Sequence, residues 1–182
     1  MVGEAKRPAL FLDRDGVVNV DTGYVSNIES FIFIPEIFEL CKFFISRNFL
    51  LVIVTNQSGV GRGTFSLADF HTLNNWMLKE FEKQGISLDL VVASTLDPTK
   101  ADATEYEKYR RKPGPGMLLD ATEVLDIDLT KSLLIGDRSS DIEAGIAAGV
   151  ARQYGIGALP VDRAQETFPD LASALIRLRE IY

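Results

Sequence analysis

Two carboxylates separated by one residue, Asp13 and Asp15, follow directly on the apolar run ALFL (9–12), with Arg14 between them and Gly16 behind. Like charges this close repel unless a cation or a proton offsets them, so the spacing suits chemistry in which charge is transferred. Two further apolar runs end in polar residues. LLVIVT (50–55) delivers Thr55 and Asn56 and then the loop QSGVGRG, while SLLIG (132–136) delivers Gly136 and Asp137, with Asp141 opening the next helix. Asp13, Asp15 and Asp137 gathered at one edge would raise one another's pKa until a cation neutralised them. Clustered hard oxygens of this kind favour Mg2+, which takes one or two carboxylates together with water and phosphate oxygens. Lys112, Arg111 and Arg62 bring positive charge, and the glycine-rich loop offers backbone N–H groups, so the remaining ligand is expected to be an anion.

Taken singly, each feature has a plainer reading. One aspartate at a strand end usually caps a helix or a turn. GVGRG (59–63) matches neither GxxxxGK[ST] nor GxGxxG, and the run YEKYRRK (106–112) reads as a solvated face. The weight lies in the combination: three strand ends are polar in the pattern a metal-and-phosphate site requires. PGPG follows Lys112 directly and makes a stiff turn, which favours Arg111 and Lys112 as fixed anion contacts.

The elements that must position these residues alternate along the chain. Strands are predicted at 9–12, 50–55, 89–94, 132–136 and 150–154, each nearly all apolar, as parallel strands covered on both faces are. Helices are predicted near 36–46, 67–84, 115–125, 140–148 and 171–180. The second shows Phe70, Leu73, Met77 and Phe81 at helical spacing behind a Ser66 cap. Such alternation implies an α/β fold, a doubly wound, Rossmann-like and mostly parallel sheet of five or six strands with helices on both faces. In that fold ligands bind outside the carboxyl ends of the strands, where Asp13, Thr55 and Asp137 fall. The whole chain, 1–182, reads as a single domain. No insertion is large enough for a separate cap domain, so loops near 20–28, 59–64 and 95–112 are expected to roof the site. Thr95 to Pro115 is the one long stretch read as irregular.

Composition narrows the partners. A net charge of -7 argues against a nucleic acid or an acidic membrane surface, and no apolar run approaches the roughly 20 residues that span a bilayer. MVGEAKRP lacks the basic start and apolar middle of a signal peptide, and the single cysteine, Cys41, suits a reducing compartment, so a cytoplasmic location is expected; a monomer is expected as well. Cys41 reads as a core thiol, His71 as a surface or packing residue of the second helix, and Trp76 as packing.

FLDRDG, VTNQSG, RKPGPGM and IGDRSSD resemble, in order and spacing, the four motifs of the haloacid dehalogenase superfamily of phosphotransferases. Within it the chain is similar, from about residue 8 to residue 150, to the subgroup of heptose-bisphosphate and histidinol-phosphate phosphatases. NVDTGYV (19–25), Arg62 and RKPGPGML (111–118) favour the heptose branch, whereas Arg138 favours neither. The resemblance implies that Asp13 is the nucleophile forming an aspartyl-phosphate, and that Asp15 is general acid and then base. It implies Mg2+ held by Asp13, Asp137 and the backbone carbonyl of Asp15. Thr55, Lys112 and the Asn56 backbone would hold the transferring phosphoryl group. Asp21, Tyr24, Arg62 and Arg111 would contact the substrate elsewhere, and Asp141 would stand behind the ligands. The substrate implied is a sugar phosphate, foremost the C7 phosphate of D-glycero-D-manno-heptose 1,7-bisphosphate. Histidinol phosphate is the alternative, and a receiver-like signalling domain with a persistent phospho-aspartate is an alternative of another class. One departure stands out. Many relatives build a zinc site as Cys-x-His and Cys-x-Cys, and the matching positions here are Ser94, Leu96, Lys108 and Arg110, so no zinc is expected. The loop TLDPTKADATEYEKY (95–109) must then be ordered by other means or remain mobile until substrate arrives.

Overall fold

Four consecutive apolar residues, Ala9–Leu12, form β1, and all four are buried because the strand is covered on both faces. In the computed structural model, which describes residues 5–182, alternate side chains of β1 enter different cores: Leu10 and Leu12 one, Ala9 and Phe11 the other. β2 (Leu50–Asn56) repeats the division, with Leu51 and Ile53 on the first side and Leu50, Val52 and Val54 on the second. β3 (Leu90–Ser94), β4 (Leu133–Gly136), β5 (Arg152–Ile156) and β6 (Glu166–Phe168) complete one six-stranded sheet. Its order is β3-β2-β1-β4-β5-β6 and every pairing is parallel. The doubly wound reading therefore holds, with a sheet wholly rather than mostly parallel.

Helices fill both faces. α1 (Glu36–Ile45), α3 (Leu67–Lys83) and α7 (Leu171–Ile181) bury Ile37, Leu40, Leu73, Met77, Leu175 and Leu178 in the first core. α5 (Gly116–Leu125) and α6 (Ser139–Ala148) bury Met117, Leu118, Ile142 and Ala144 in the second. The expected stripe of α3 is buried, and Ser66 caps it, accepting from Asp69 N–H at 3.0 Å. Trp76 of that helix packs edge-on to Phe31, His71 is exposed, and Cys41 of α1 is fully buried. Among the described residues no helix is long and apolar enough to cross a membrane.

Four expectations need correcting. β5 begins at Arg152 rather than 150, because Val150 N–H is spent closing α6 on Gly145 O at 2.9 Å. β6 was not expected, since only Phe168 of its three residues is buried and no apolar run marks it. The loop after β2 contains a short helical turn, α2 (Ser58–Gly61). The supposedly irregular stretch 95–115 contains α4 (Glu105–Arg110), opened by Thr104 and Glu107, which bond each other's backbone N–H groups. That Thr-x-x-Glu signature was present in the sequence and was masked by the charges around it.

Candidate active site

Register brings the chemistry to one edge. Leu12 of β1 lies opposite Ile53 of β2 and Ile135 of β4, so the residues that follow all three strands emerge together. The winding also reverses between β1 and β4, which opens a crevice there. Asp13 continues β1 by donating its N–H to Ile135 O at 3.0 Å, and its side chain is almost wholly buried.

Lys112 is the centre of the arrangement. Its Nζ is 2.7 Å from Asp13 Oδ1, 2.6 Å from Asp141 Oδ1 and 2.8 Å from Val54 O, one acceptor for each ammonium proton. The segment carrying it is clamped by Asn56, whose side chain donates to Lys112 O at 3.0 Å and accepts from Lys112 N–H at 3.1 Å. Asp141 is pinned at its other oxygen, Oδ2, by the N–H of Arg138 at 3.0 Å. Asp141 thus adds a third carboxylate to the group while its own oxygens are held by Lys112 and the Arg138 N–H. The carboxylates that converge, with oxygens within 4.8 Å of one another, are those of Asp13, Asp137 and Asp141.

Two glycines make this approach possible. A Cβ on Gly136 would lie 2.3 Å from Asp141 Cβ, and one on Gly16, where φ is +97°, would lie 2.4 Å from Asp137 Oδ2. The resulting charge is unbalanced: three carboxylates face the Lys112 ammonium and, 3.8 Å from Asp137 Oδ2, the more exposed Arg138 guanidinium. Burial, opposed by Lys112 and reinforced by Asp141 and Asp137, pushes the Asp13 carboxyl up to about 8. Burial, then Asp141, pushes Asp137 up to about 6. Burial pulls the Lys112 ammonium down, but Asp13 and Asp141 more than offset it and leave it above the usual lysine value. Asp137 Oδ1 is buried without a hydrogen-bond partner. An orphaned carboxylate oxygen in a group of three carboxylates that Lys112 and Arg138 only partly neutralise fits a hard divalent cation.

Asp15 is placed differently from the expectation that it would join the acidic group. Its Oδ1 accepts from Arg14 and from Asn19 Nδ2 at 3.0 Å, and its Oδ2 accepts from Arg14 Nη2 at 3.0 Å and Gln57 Nε2 at 2.8 Å. Arg14 and Asn19 are fully buried. None of these three partners was singled out from the sequence, although an arginine between two aspartates beside a buried strand was a usable signal.

A cavity of about 600 Å³ joins these groups. Buried Asp13, Thr55 and Lys112 line it together with exposed Asp21, Tyr24 and Arg62, half-buried Arg111, and Arg138, which sequence reasoning had set aside. The three loops expected to roof the site are tied to one another and to the segment after β4. Asp21 pairs with Arg138 at 2.8 Å, and Arg62 donates to Tyr24 Oη at 2.7 Å and to Asp97 Oδ1 at 3.2 Å. Arg111 donates to Leu96 O at 3.1 Å. Burial, then the nearby Arg62 and Arg138 cations, holds Arg111 below the usual arginine value, the signature of a mouth that would welcome an anion. At the four positions matching a zinc site, Ser94 and Leu96 are buried, Lys108 pairs with Glu105 at 2.8 Å, and Arg110 with Asp120 at 2.7 Å.

Comparison with known proteins points the same way. The HAD-hydrolase-like family model matches residues 109–153. The D-glycero-alpha-D-manno-heptose-1,7-bisphosphate 7-phosphatase of Burkholderia mallei is 44% identical over 173 residues, spanning 94% of this chain and 89% of that protein. The D-glycero-beta-D-manno-heptose-1,7-bisphosphate 7-phosphatase of Yersinia pestis is 42% identical over 144 residues, 79% of this chain and 77% of that one. Among solved structures, D,D-heptose 1,7-bisphosphate phosphatase from B. bronchiseptica, complexed with magnesium and phosphate, aligns with a TM-score of 0.79 at 26% identity. The alignment covers 96% of this chain and 99% of that one.

Proposed function

Because this chain belongs to the heptose-1,7-bisphosphate 7-phosphatases of the HAD-like hydrolases, we propose that it removes the C7 phosphate of D-glycero-D-manno-heptose 1,7-bisphosphate through an aspartyl-phosphate. The observation that carries this reading is the single cavity in which the Asp13–Lys112–Asp141 group and the rim arginines Arg62 and Arg111 meet, one end for each phosphate. The whole chain, 1–182, acts as one catalytic domain.

Lys112 holds Asp13 Oδ1, which leaves Oδ2 to attack phosphorus. The new bond from Asp13 to phosphorus forms as the bond to the C7 oxygen breaks, and Asp15 gives that oxygen its proton. Water then attacks the aspartyl-phosphate, Asp15 takes the proton released, and the Asp13–phosphorus bond breaks to give inorganic phosphate. Thr55 and the Asn56 backbone bind the oxygens of the transferring group. Arg62 and Arg111 grip the second phosphate, where a planar guanidinium binds two oxygens at once, and Asp21 and Tyr24 face the sugar. Mg2+ would be held by Asp13, Asp137 and the Asp15 carbonyl, with Asp141 fixing Lys112 beside it. Bound there, it would withdraw charge from the phosphate oxygens and lessen their repulsion from Asp13. Zinc has no part in the scheme, since leucine, lysine and arginine occupy three of the four positions where relatives carry its ligands.

The test is inorganic phosphate release with Mg2+ from both anomers of the heptose 1,7-bisphosphate and from histidinol phosphate. The bisphosphate is expected to turn over fastest, and faster release from histidinol phosphate would refute the assignment.

A further inference from the structure

Gln57 follows the last residue of β2, is 4% exposed, and has every polar atom of its amide engaged. Nε2 donates to Asp15 Oδ2 and to Thr55 Oγ1, each at 2.8 Å, and Oε1 accepts from Arg14 Nη2 at 3.2 Å. The neighbours dictate which way the amide faces. Arginine offers only donors, so the amide oxygen must face Arg14, which turns the NH2 toward Asp15 and Thr55. The backbone is held too, because Gln57 N–H donates to Ser94 O at 2.7 Å.

This one amide touches two groups with separate duties. By donating to Thr55 Oγ1 it occupies a lone pair of that hydroxyl, so the hydroxyl's own hydrogen is free to donate to an anion in the cavity that Thr55 lines. By donating to Asp15 Oδ2 it closes the cradle that Arg14 and Asn19 form around Oδ1. We propose that Gln57 is a positioning residue of the reaction, fixing the Asp15 carboxylate relative to the Thr55 hydroxyl so that protons move at the phosphoryl group Thr55 holds. The inference rests on the assignment of Asp15 as acid and base.

Gln57→Met keeps length and volume and removes both donors. On the heptose bisphosphate, kcat is expected to fall about 10- to 100-fold, part of what general acid–base catalysis contributes, with KM within about 3-fold of wild type. On p-nitrophenyl phosphate, whose leaving group needs no proton, the first step survives and the second slows. A burst of one p-nitrophenolate per protein should then precede slow turnover, and acid quenching should trap phospho-Asp13. Equal losses on both substrates with a raised KM would mark a merely structural role and overturn the proposal, as would wild-type kinetics. Asp15→Asn measured in parallel separates the two assignments. If it retains near-normal turnover, the reading of Asp15 itself fails. If it is inactive while Gln57→Met behaves as wild type, only the Gln57 inference fails. Gln57→Met in the Asp15→Asn background should cost no further turnover, and a full additional loss there would contradict action through Asp15. Should Gln57→Met not fold by circular dichroism, Gln57→Glu, which sets a carboxylate against Asp15, is expected to give the same burst, and its absence overturns the proposal.

Discussion

Lys112 stabilises an otherwise repulsive site by meeting Asp13, Asp141 and the Val54 carbonyl with its three protons. Removing one member of a buried ion pair costs about 3–5 kcal/mol because the partner charge stays behind, and two partners stay behind here. Lys112→Met is therefore expected to lower stability by about 3 kcal/mol or more in a denaturant titration, with activity lost as well. An unchanged midpoint would mean that the carboxylates find neutralisation elsewhere. Asp13→Asn, in contrast, is expected to abolish turnover while the circular dichroism spectrum is kept, since the size is unchanged and the nucleophile is gone. That Asp13, Thr55 and Asp137 emerge at one edge was legible in the sequence because residue type and strand-end position coincided, and Lys112 stood out by the stiff PGPG turn behind it. Of the partners of Asp15, Arg14 and Asn19 lie one and four residues away and were within reach of a sequence reading, whereas Gln57 lies 42 residues away, and a contact of that span has no local signature.

At the level of elements, the strand-to-helix turn after β4 holds Asp137 and Asp141 at their working distance only because Gly136 lacks a Cβ. Gly136→Ala is expected to displace Asp141, weaken its pair with Lys112 and cut kcat by more than tenfold; wild-type kinetics would show that the approach is dispensable. The loop 95–112 is the other element under test. It is fastened by Asp97, which accepts from Thr99 N–H at 2.9 Å and from Arg62, and by α4 with its Thr104 cap. Elemental analysis of dialysed, active protein should therefore find no stoichiometric zinc, and zinc retained at one per chain would contradict this. β1 to β4 could be read from sequence because each is apolar along its length. β6 could not, because an edge strand of three residues buries too little to leave a pattern.

The molecule as a whole places a charged, buried site at the reversal of a parallel sheet, where the proposed cation would offset the repulsion among Asp13, Asp137 and Asp141. Burial raises the Asp137 and Asp13 carboxyls to about 6 and about 8, so the metal-free folded protein holds protons that the unfolded chain has lost. The site's contribution to stability thus falls as pH rises from the ordinary aspartate value through those two values, and cation binding restores it. Mg2+ is expected to raise Tm more at about pH 8.5 than at about pH 5.5, and the reverse order would contradict the assigned ligands. The fold class was visible from alternation of apolar runs and helices, whereas the connections across the mouth, Asp21 to Arg138 and Arg62 to Tyr24, appeared only once the loops were in place. On the proposed reading, the acidic group takes the C7 phosphate while the rim arginines hold the other. Following both phosphorus resonances of heptose 1,7-bisphosphate during turnover tests this most directly. The C7 signal is expected to convert to inorganic phosphate while the C1 signal persists, and loss of the C1 phosphate first would refute the assignment.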